Sequence, residues 1–203
     1  MRLIEYRQGY INCSREKLIE DMSKVLSKER LNHCIRVEQY ALELAESRDE
    51  WIDLEKVSIS ALMHDYAKEL QVDVMKELAL RYSQIKGIES AGVAIWHGFA
   101  AATIAKENYE CRDESIIKAI GSHTIGSDDM DIVAQLVFVA DYCEPNRQFE
   151  GVKKARQLAH EDLFQAVIYK MAESLRHLLS QRKEIFEFSL TVYNAWIRKM
   201  EEL

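Results

Sequence analysis

Apolar residues recur along most of this chain at the three- and four-residue spacing of helices that bury one face. Leu18, Met22, Val25 and Leu26 follow it in SREKLIEDMSKVLS, where Ser14 is placed to cap a first helix. A second, over about 29–47, repeats Leu31, Ile35, Val37, Leu42 and Leu44 and carries His33 and Arg36 on one face. Asp53 can cap a third, DLEKVSISALMHDYAKEL, in which Val57, Ile59, Ala61 and Leu62 are apolar and His64 and Asp65 arrive at the end of a buried element. Further helices are predicted over 72–82, 91–108, 113–123 and 130–142. NRQFEGV after Pro145 reads as a loop, and helices over 152–160, 162–180 and 185–203 follow. In the last, Phe186, Phe188, Leu190, Val192, Tyr193 and Trp196 complete the core or cover a partner helix.

Composition narrows this to an all-α chain. One proline and seven glycines among 203 residues leave long helices easier to build than many strands joined by tight turns. With 48% apolar residues the chain can bury one sizeable core, so a single domain over 1–203 is expected. The net charge of −7 repels a phosphate backbone and argues against non-specific nucleic-acid binding. No apolar run approaches the roughly 20 residues of a bilayer span, and MRLIEYRQGY lacks the apolar centre of a secretion signal; the expected setting is cytoplasmic, with no membrane partner. Cys13, Cys34, Cys111 and Cys143 form no CxxC pair and read as reduced, partly buried thiols. The amphipathic helices permit a homodimer without requiring one.

The candidate chemistry lies in polar residues set in apolar or small-residue surroundings. His33 precedes CIRV, His97 stands in AIWHGFAA, His123 in AIGSHTIG and Asp141 in LVFVADY, and the adjacent His64 and Asp65 close a largely buried helix. Unpaired, such groups are costly to bury. An ion pair between Asp141 and Arg147 is the plain structural alternative for that carboxylate. Imidazoles with carboxylates suit a borderline divalent ion, and six ligands exceed what one ion with open positions uses, so two metals sharing a carboxylate are expected. Open octahedral N/O coordination favours iron or manganese, with cobalt a third choice, over tetrahedral zinc. Two such ions can activate a water and hold the phosphoryl oxygen it attacks. Lys68, Arg36 and Arg147 are the cations expected to bind the non-reacting phosphates, and Thr124 and Asn146 are candidates to hydrogen-bond a phosphate or sugar. A solvated surface cation, a turn cap and a loop-shaping residue are the corresponding plain readings. His160 and His177 lie outside this set.

HxxR at His33–Arg36, HDYAK at His64–Lys68, WHG at Trp96–Gly98, HTIG at His123–Gly126 and ADYCEPNRQFEGV at Ala140–Val152 keep this order along the chain. Together they resemble the HD-domain superfamily and, more narrowly, its YqeK-type symmetrical bis(5'-nucleosyl)-tetraphosphatases, which split diadenosine tetraphosphate into two ADP. The resemblance covers about 32–159, with the C-terminal helices over 162–203 expected to pack on that core. It implies an all-helical HD bundle and a site of two metal ions, usually iron. His33, His64, Asp65, His97, His123 and Asp141 become the ligands, Asp65 the bridge and catalytic with Lys68. Ser122 and Ile125 depart from the family's pattern at motif neighbours. An HD phosphohydrolase acting on another nucleotide or phosphoester, and a non-catalytic metal or nucleotide sensor, remain as alternatives. A closed single-nucleotide pocket favours the first of these, whereas a cleft running past the metals favours a dinucleotide.

Overall fold

Ser14, Ser27, Asp53, Asp113, Asp131 and Asp162 each accept a main-chain N–H in the first turn of a helix, so six helix starts are fixed by side-chain caps. The computed structural model describes residues 4–202. Among these, ten α-helices occur and no strand: α1 (Arg15–Val25), α2 (Lys28–Glu46), α3 (Leu54–Met63), α4 (Val72–Tyr82), α5 (Val93–Asn108), α6 (Glu114–Ser122), α7 (Ile132–Cys143), α8 (Val152–Glu161), α9 (Leu163–Ser180) and α10 (Glu187–Glu201). The expected end of the last helix at Leu203, like Met1–Leu3, lies outside the described residues.

Every stretch that the hydrophobic pattern marks as helical contains a helix, and the informative difference is at α3. The pattern continues it through YAKEL, yet it stops at Met63. His64 Nδ1 bonds the Ala61 carbonyl at 2.7 Å, taking an acceptor that a continuing helix would use. The chain then tightens into turns, with Tyr66 N bonding Met63 O at 3.0 Å and Lys68 N bonding Asp65 O at 2.9 Å. Asp65 and Lys68 therefore sit on turns rather than on a helix. α5 likewise begins later than expected, at Val93, after a 3-10 turn (Ile88–Ser90) and Gly92 at φ 81°.

Two apolar clusters form the interior. One joins Val37, Ala41 and Leu44 of α2 to α7, α8, α9 and α10, with Phe138, Val167 and Trp196 buried in it. The other joins Leu18 and Met22 of α1 to Ile59 and Leu62 of α3 and to the inner faces of α4, α5 and α6. α2, α3 and α6 contribute to both, and the candidate ligands lie along the seam between them. α10 docks through Trp196, whose Nε1 donates to Ser127 O at 2.8 Å.

α5 and α6 approach so closely that Gly98 is required. A Cβ there would stand 2.9 Å from the Gly121 carbonyl oxygen and 3.1 Å from His123 Cε1. The WHG triplet thus sets the helix spacing that brings His97 and His123 together. Gly98→Ala is expected to cost roughly 1–3 kcal/mol, as overpacking does, and to weaken metal retention. Chemical denaturation with elemental analysis checks this, and unchanged values for both would show that the spacing relaxes freely.

Candidate metal centre

His33 comes from α2, His97 from α5 and Asp141 from α7, while His64 and His123 cap the C-terminal ends of α3 and α6. The two caps are built alike: each histidine keeps helical φ and ψ and directs Nδ1 at the carbonyl three residues back, Ala61 at 2.7 Å and Ile120 at 2.8 Å. Helix C-termini carry partial negative charge, so two of them aimed at one place favour a cation there.

Asp65 stands between two pairs of imidazoles. Its Oδ2 lies 3.7 Å from His33 Nε2 and 3.6 Å from His64 Nε2, and its Oδ1 lies 3.0 Å from His97 Nε2 and 3.7 Å from His123 Nε2. Asp141 Oδ1 joins the first side, 3.1 Å from His33 Nε2 and 3.8 Å from His64 Nε2. In two groups, His33 with His64 and Asp141, and His64 with Asp65 and His123, the ligand atoms all lie within 4.8 Å of one another. All six residues expected from the sequence as ligands meet here.

The donor set fits a metal. The remaining Nδ1 atoms face Val93 O, 3.2 Å from His97, and Glu144 Oε1, 3.3 Å from His33. In each of the four imidazoles Nδ1 thus faces an oxygen acceptor, the arrangement that outer-shell partners of metal-bound histidine make and that turns Nε2 towards the site. His64 Nε2 is buried with no hydrogen-bond partner. His97 and His123 turn Nε2 atoms towards each other at 2.9 Å, two lone pairs that a shared cation reconciles. Nitrogens bound side by side to one ion at about 2.1 Å stand about 3 Å apart.

Cations surround the carboxylates. Lys68 Nζ lies 3.1 Å from His97 Nε2 and 3.7 Å from Asp65 Oδ1, so it reaches the site from its turn. Arg147 Nη2 donates to Asp141 Oδ1 at 2.9 Å, so the plain ion pair forms without drawing Asp141 away from His33. Asp141 is shallower than its LVFVA context implies, its side chain 19% exposed at the end of α7. Thr124 Oγ1 lies 3.2 Å from His123 Nε2. Of the residues expected to read the substrate, Arg36 donates Nε to Glu144 Oε2 at 2.8 Å and Asn146 donates its main-chain N–H to the same oxygen at 2.8 Å, leaving the exposed Asn146 side chain outside that bond. They orient Glu144, which in turn orients His33. Cys34 and Cys143 are buried thiols outside both ligand groups.

Three participants escaped the sequence reading. Arg30 Nη1 donates to Asp65 Oδ2 at 2.8 Å; it precedes His33 by three residues on the same helix face, which was the available signal. Glu144 lies inside ADYCEPNR. Lys170, a lone cation in the apolar run AVIYKMA, donates to the carbonyls of His123 at 2.9 Å and Phe138 at 2.6 Å and lies 3.7 Å from Asp141 Oδ2.

A cavity of about 320 Å³ opens over the site, bounded by Asp65, His97, His123 and Asp141 and by Arg30, Lys68, Arg147 and Lys170. A cleft of about 1300 Å³ adjoins it, and Thr124, Tyr142 and Ser174 border both. Ile125, one of the two departures from the family pattern, lines the cleft, whereas Ser122 turns its hydroxyl back to Lys118 O at 2.7 Å.

Burial holds His64 below the ordinary imidazole value, and burial together with His64 and His97 holds His123 well below it. Burial opposes ionisation of Asp65 but is outweighed by His64, His97 and Lys68, which hold it well below the usual carboxylate range. Burial is likewise outweighed at Asp141, by His33 and Lys170. Burial pushes the Lys170 ammonium down to about 8 against the pull of Asp141.

A stability prediction follows from the histidines. As pH falls past 6.5, the ordinary value, His64 and His123 take up protons in the unfolded chain before they do in the folded one. The stability that they contribute above that value is lost on acidification. Thermal denaturation of chelator-treated protein is expected to show Tm falling between about pH 7.5 and about pH 5.5. A Tm that holds or rises over this interval contradicts the assignment.

The HD domain family matches residues 30–146. The symmetrical bis(5'-nucleosyl)-tetraphosphatase of Bacillus subtilis (strain 168) is 32% identical over 184 residues, covering 91% of this chain and 97% of the relative. Its namesake in Staphylococcus aureus is also 32% identical, over 87% of this chain and 90% of the relative. The crystal structure of an HD superfamily hydrolase of Clostridium acetobutylicum, described as involved in NAD metabolism, superposes with a TM-score of 0.85 at 27% identity, covering 92% of this chain and 98% of that one. Among the described residues no helix is long and apolar enough to cross a membrane. With its all-helical bundle and this clustered histidine and aspartate set, the chain belongs to the HD-domain family and, within it, to the symmetrical bis(5'-nucleosyl)-tetraphosphatases.

Proposed function

We propose that this protein hydrolyses diadenosine tetraphosphate symmetrically, releasing two ADP, with two divalent ions held by His33, His64, Asp65, His97, His123 and Asp141. The observation that carries the reading is the division of Asp65: one oxygen faces His33 and His64, the other His97 and His123. A carboxylate so placed is fit to bridge two ions. Iron is the preferred pair and manganese or cobalt the alternatives, on the softness of a mixed imidazole and carboxylate set. Such ions supply a water activated at neutral pH and Lewis acidity at the phosphoryl oxygen.

The chain's own residues do the rest. The carbonyls of Ala61, Ile120 and Val93 and the carboxylate of Glu144 hold the imidazoles in register, and Arg36 keeps Glu144 ionised and in place. Lys68, Arg147 and Arg30 line the cavity where the phosphates lie. Each has a carboxylate partner in Asp65 or Asp141 and can lend hydrogen bonds to phosphate oxygens as charge moves to the leaving ADP. Thr124 offers a hydroxyl at the mouth. A nucleotide substrate and four free cysteines accord with a cytoplasmic setting. The cleft beyond the metals favours a substrate with two nucleosides over a single nucleotide.

Incubating the manganese- or iron-loaded protein with diadenosine tetraphosphate is expected to give ADP as sole product. Intact substrate alongside cleavage of a mononucleotide or phosphodiester would replace this reading with the wider HD phosphohydrolase one. Asp65→Ala is expected to lose bound metal and to reduce turnover by roughly three orders of magnitude, the scale of several kcal/mol of metal-supplied stabilisation, while its helical circular dichroism persists. A fully active variant would remove Asp65 from the bridge.

A further inference from the structure

The cavity over the ligands, about 320 Å³, is at the low end of the roughly 300–1,000 Å³ that encloses one drug-sized ligand. It accommodates a polyphosphate but not the nucleosides at its two ends. The adjoining cleft of about 1300 Å³ has the room, and it begins next to a ligand, since Tyr142 follows Asp141 and borders both spaces.

The wall of this cleft carries an aromatic platform. Phe149 is 39% exposed and lines the cleft, and its ring meets that of Tyr142 edge to face with centroids 4.7 Å apart. The loop that bears it is braced: Arg156 donates to the carbonyls of Cys143 and Glu144 at 2.8 Å and of Arg147 at 2.9 Å. A ring held half-bare on a fixed loop suits a flat partner, and base-on-aromatic stacking is the common use of such a surface. Lys86 and Arg176 line the same cleft together with Glu150, Glu173, Glu184 and Glu187, and Arg176 is paired with Glu173, so the cleft suits the uncharged nucleoside rather than the phosphates.

Granting the reaction proposed above, we infer that this cleft seats one nucleoside of the substrate, with its base on Phe149 and its phosphates passing Thr124 into the metal cavity. Phe149 lies two residues beyond Arg147, so one short loop would serve both the phosphates and the base.

The test uses the manganese-loaded full chain and a diadenosine tetraphosphate analogue with 2-azidoadenine at both ends and a methylene in place of the central bridging oxygen. Photolysis and peptide mapping are expected to place one label on the segment containing Phe149 or on Phe186 and Phe188 across the cleft. Phe149→Ala is expected to lower kcat/KM for unmodified diadenosine tetraphosphate roughly five- to hundredfold, the range of one lost stacking contact. The loss should appear chiefly in KM, with Phe149→Trp restoring it. Labels confined to other segments, or a Phe149→Ala enzyme with unchanged kinetics, would overturn the cleft assignment while leaving the reaction intact. Failure of the unaltered protein to turn over diadenosine tetraphosphate would overturn the functional reading, and this inference with it.

Discussion

The structure depends on the cost of burying one carboxylate. Asp65 is 3% exposed, and a charge so deep persists only among cations and donors. Arg30, Lys68 and the imidazoles around it supply them, and a pair of divalent ions would do so more completely. Much of the surrounding architecture serves that compensation. α3 and α6 end where they do because His64 and His123 take helix carbonyls with Nδ1. The glycine at 98 lets α5 close on α6. Glu144 and Arg36 orient His33 from the far side.

The two apolar clusters explain why such a site can be assembled from residues more than a hundred positions apart. Each is built of apolar side chains, and α2, α3 and α6, which belong to both, carry His33, His64 and His123 between them. Burial in the clusters stabilises the bundle, and the seam can then hold groups chosen for chemistry rather than packing. The C-terminal helices join the same economy: α9 sends Lys170 to the carbonyl of His123, and α10 is anchored by Trp196.

How far this was legible in the sequence depends on the range of the signal. His33, His97, His123 and Asp141 stand out because each interrupts an apolar or small-residue stretch, and such interruptions need partners. The caps at Ser27, Asp113, Asp131 and Asp162 were seen only in the structure, whereas two helix starts were legible from their caps, Ser14 and Asp53. The end of α3 was not, because YAKEL has helix-forming residues and the competing bond is made by the side chain of His64. Arg36 stands out by its place beside His33, but its partner in the structure, Glu144, is 108 positions away and no local pattern links the two. The cleft was hidden for the same reason: its walls come from the 3-10 turn before α5, the loop after α7, and α9 and α10, and no local pattern announces their meeting.

The central claim is that Asp65 joins two ions, and the most direct measurement is metal titration of the purified chain with manganese, followed by electron paramagnetic resonance. The account predicts two tightly held equivalents per chain with an exchange-coupled spectrum, and loss of the coupling in Asp65→Asn. One equivalent, or two that behave as isolated ions, would contradict it.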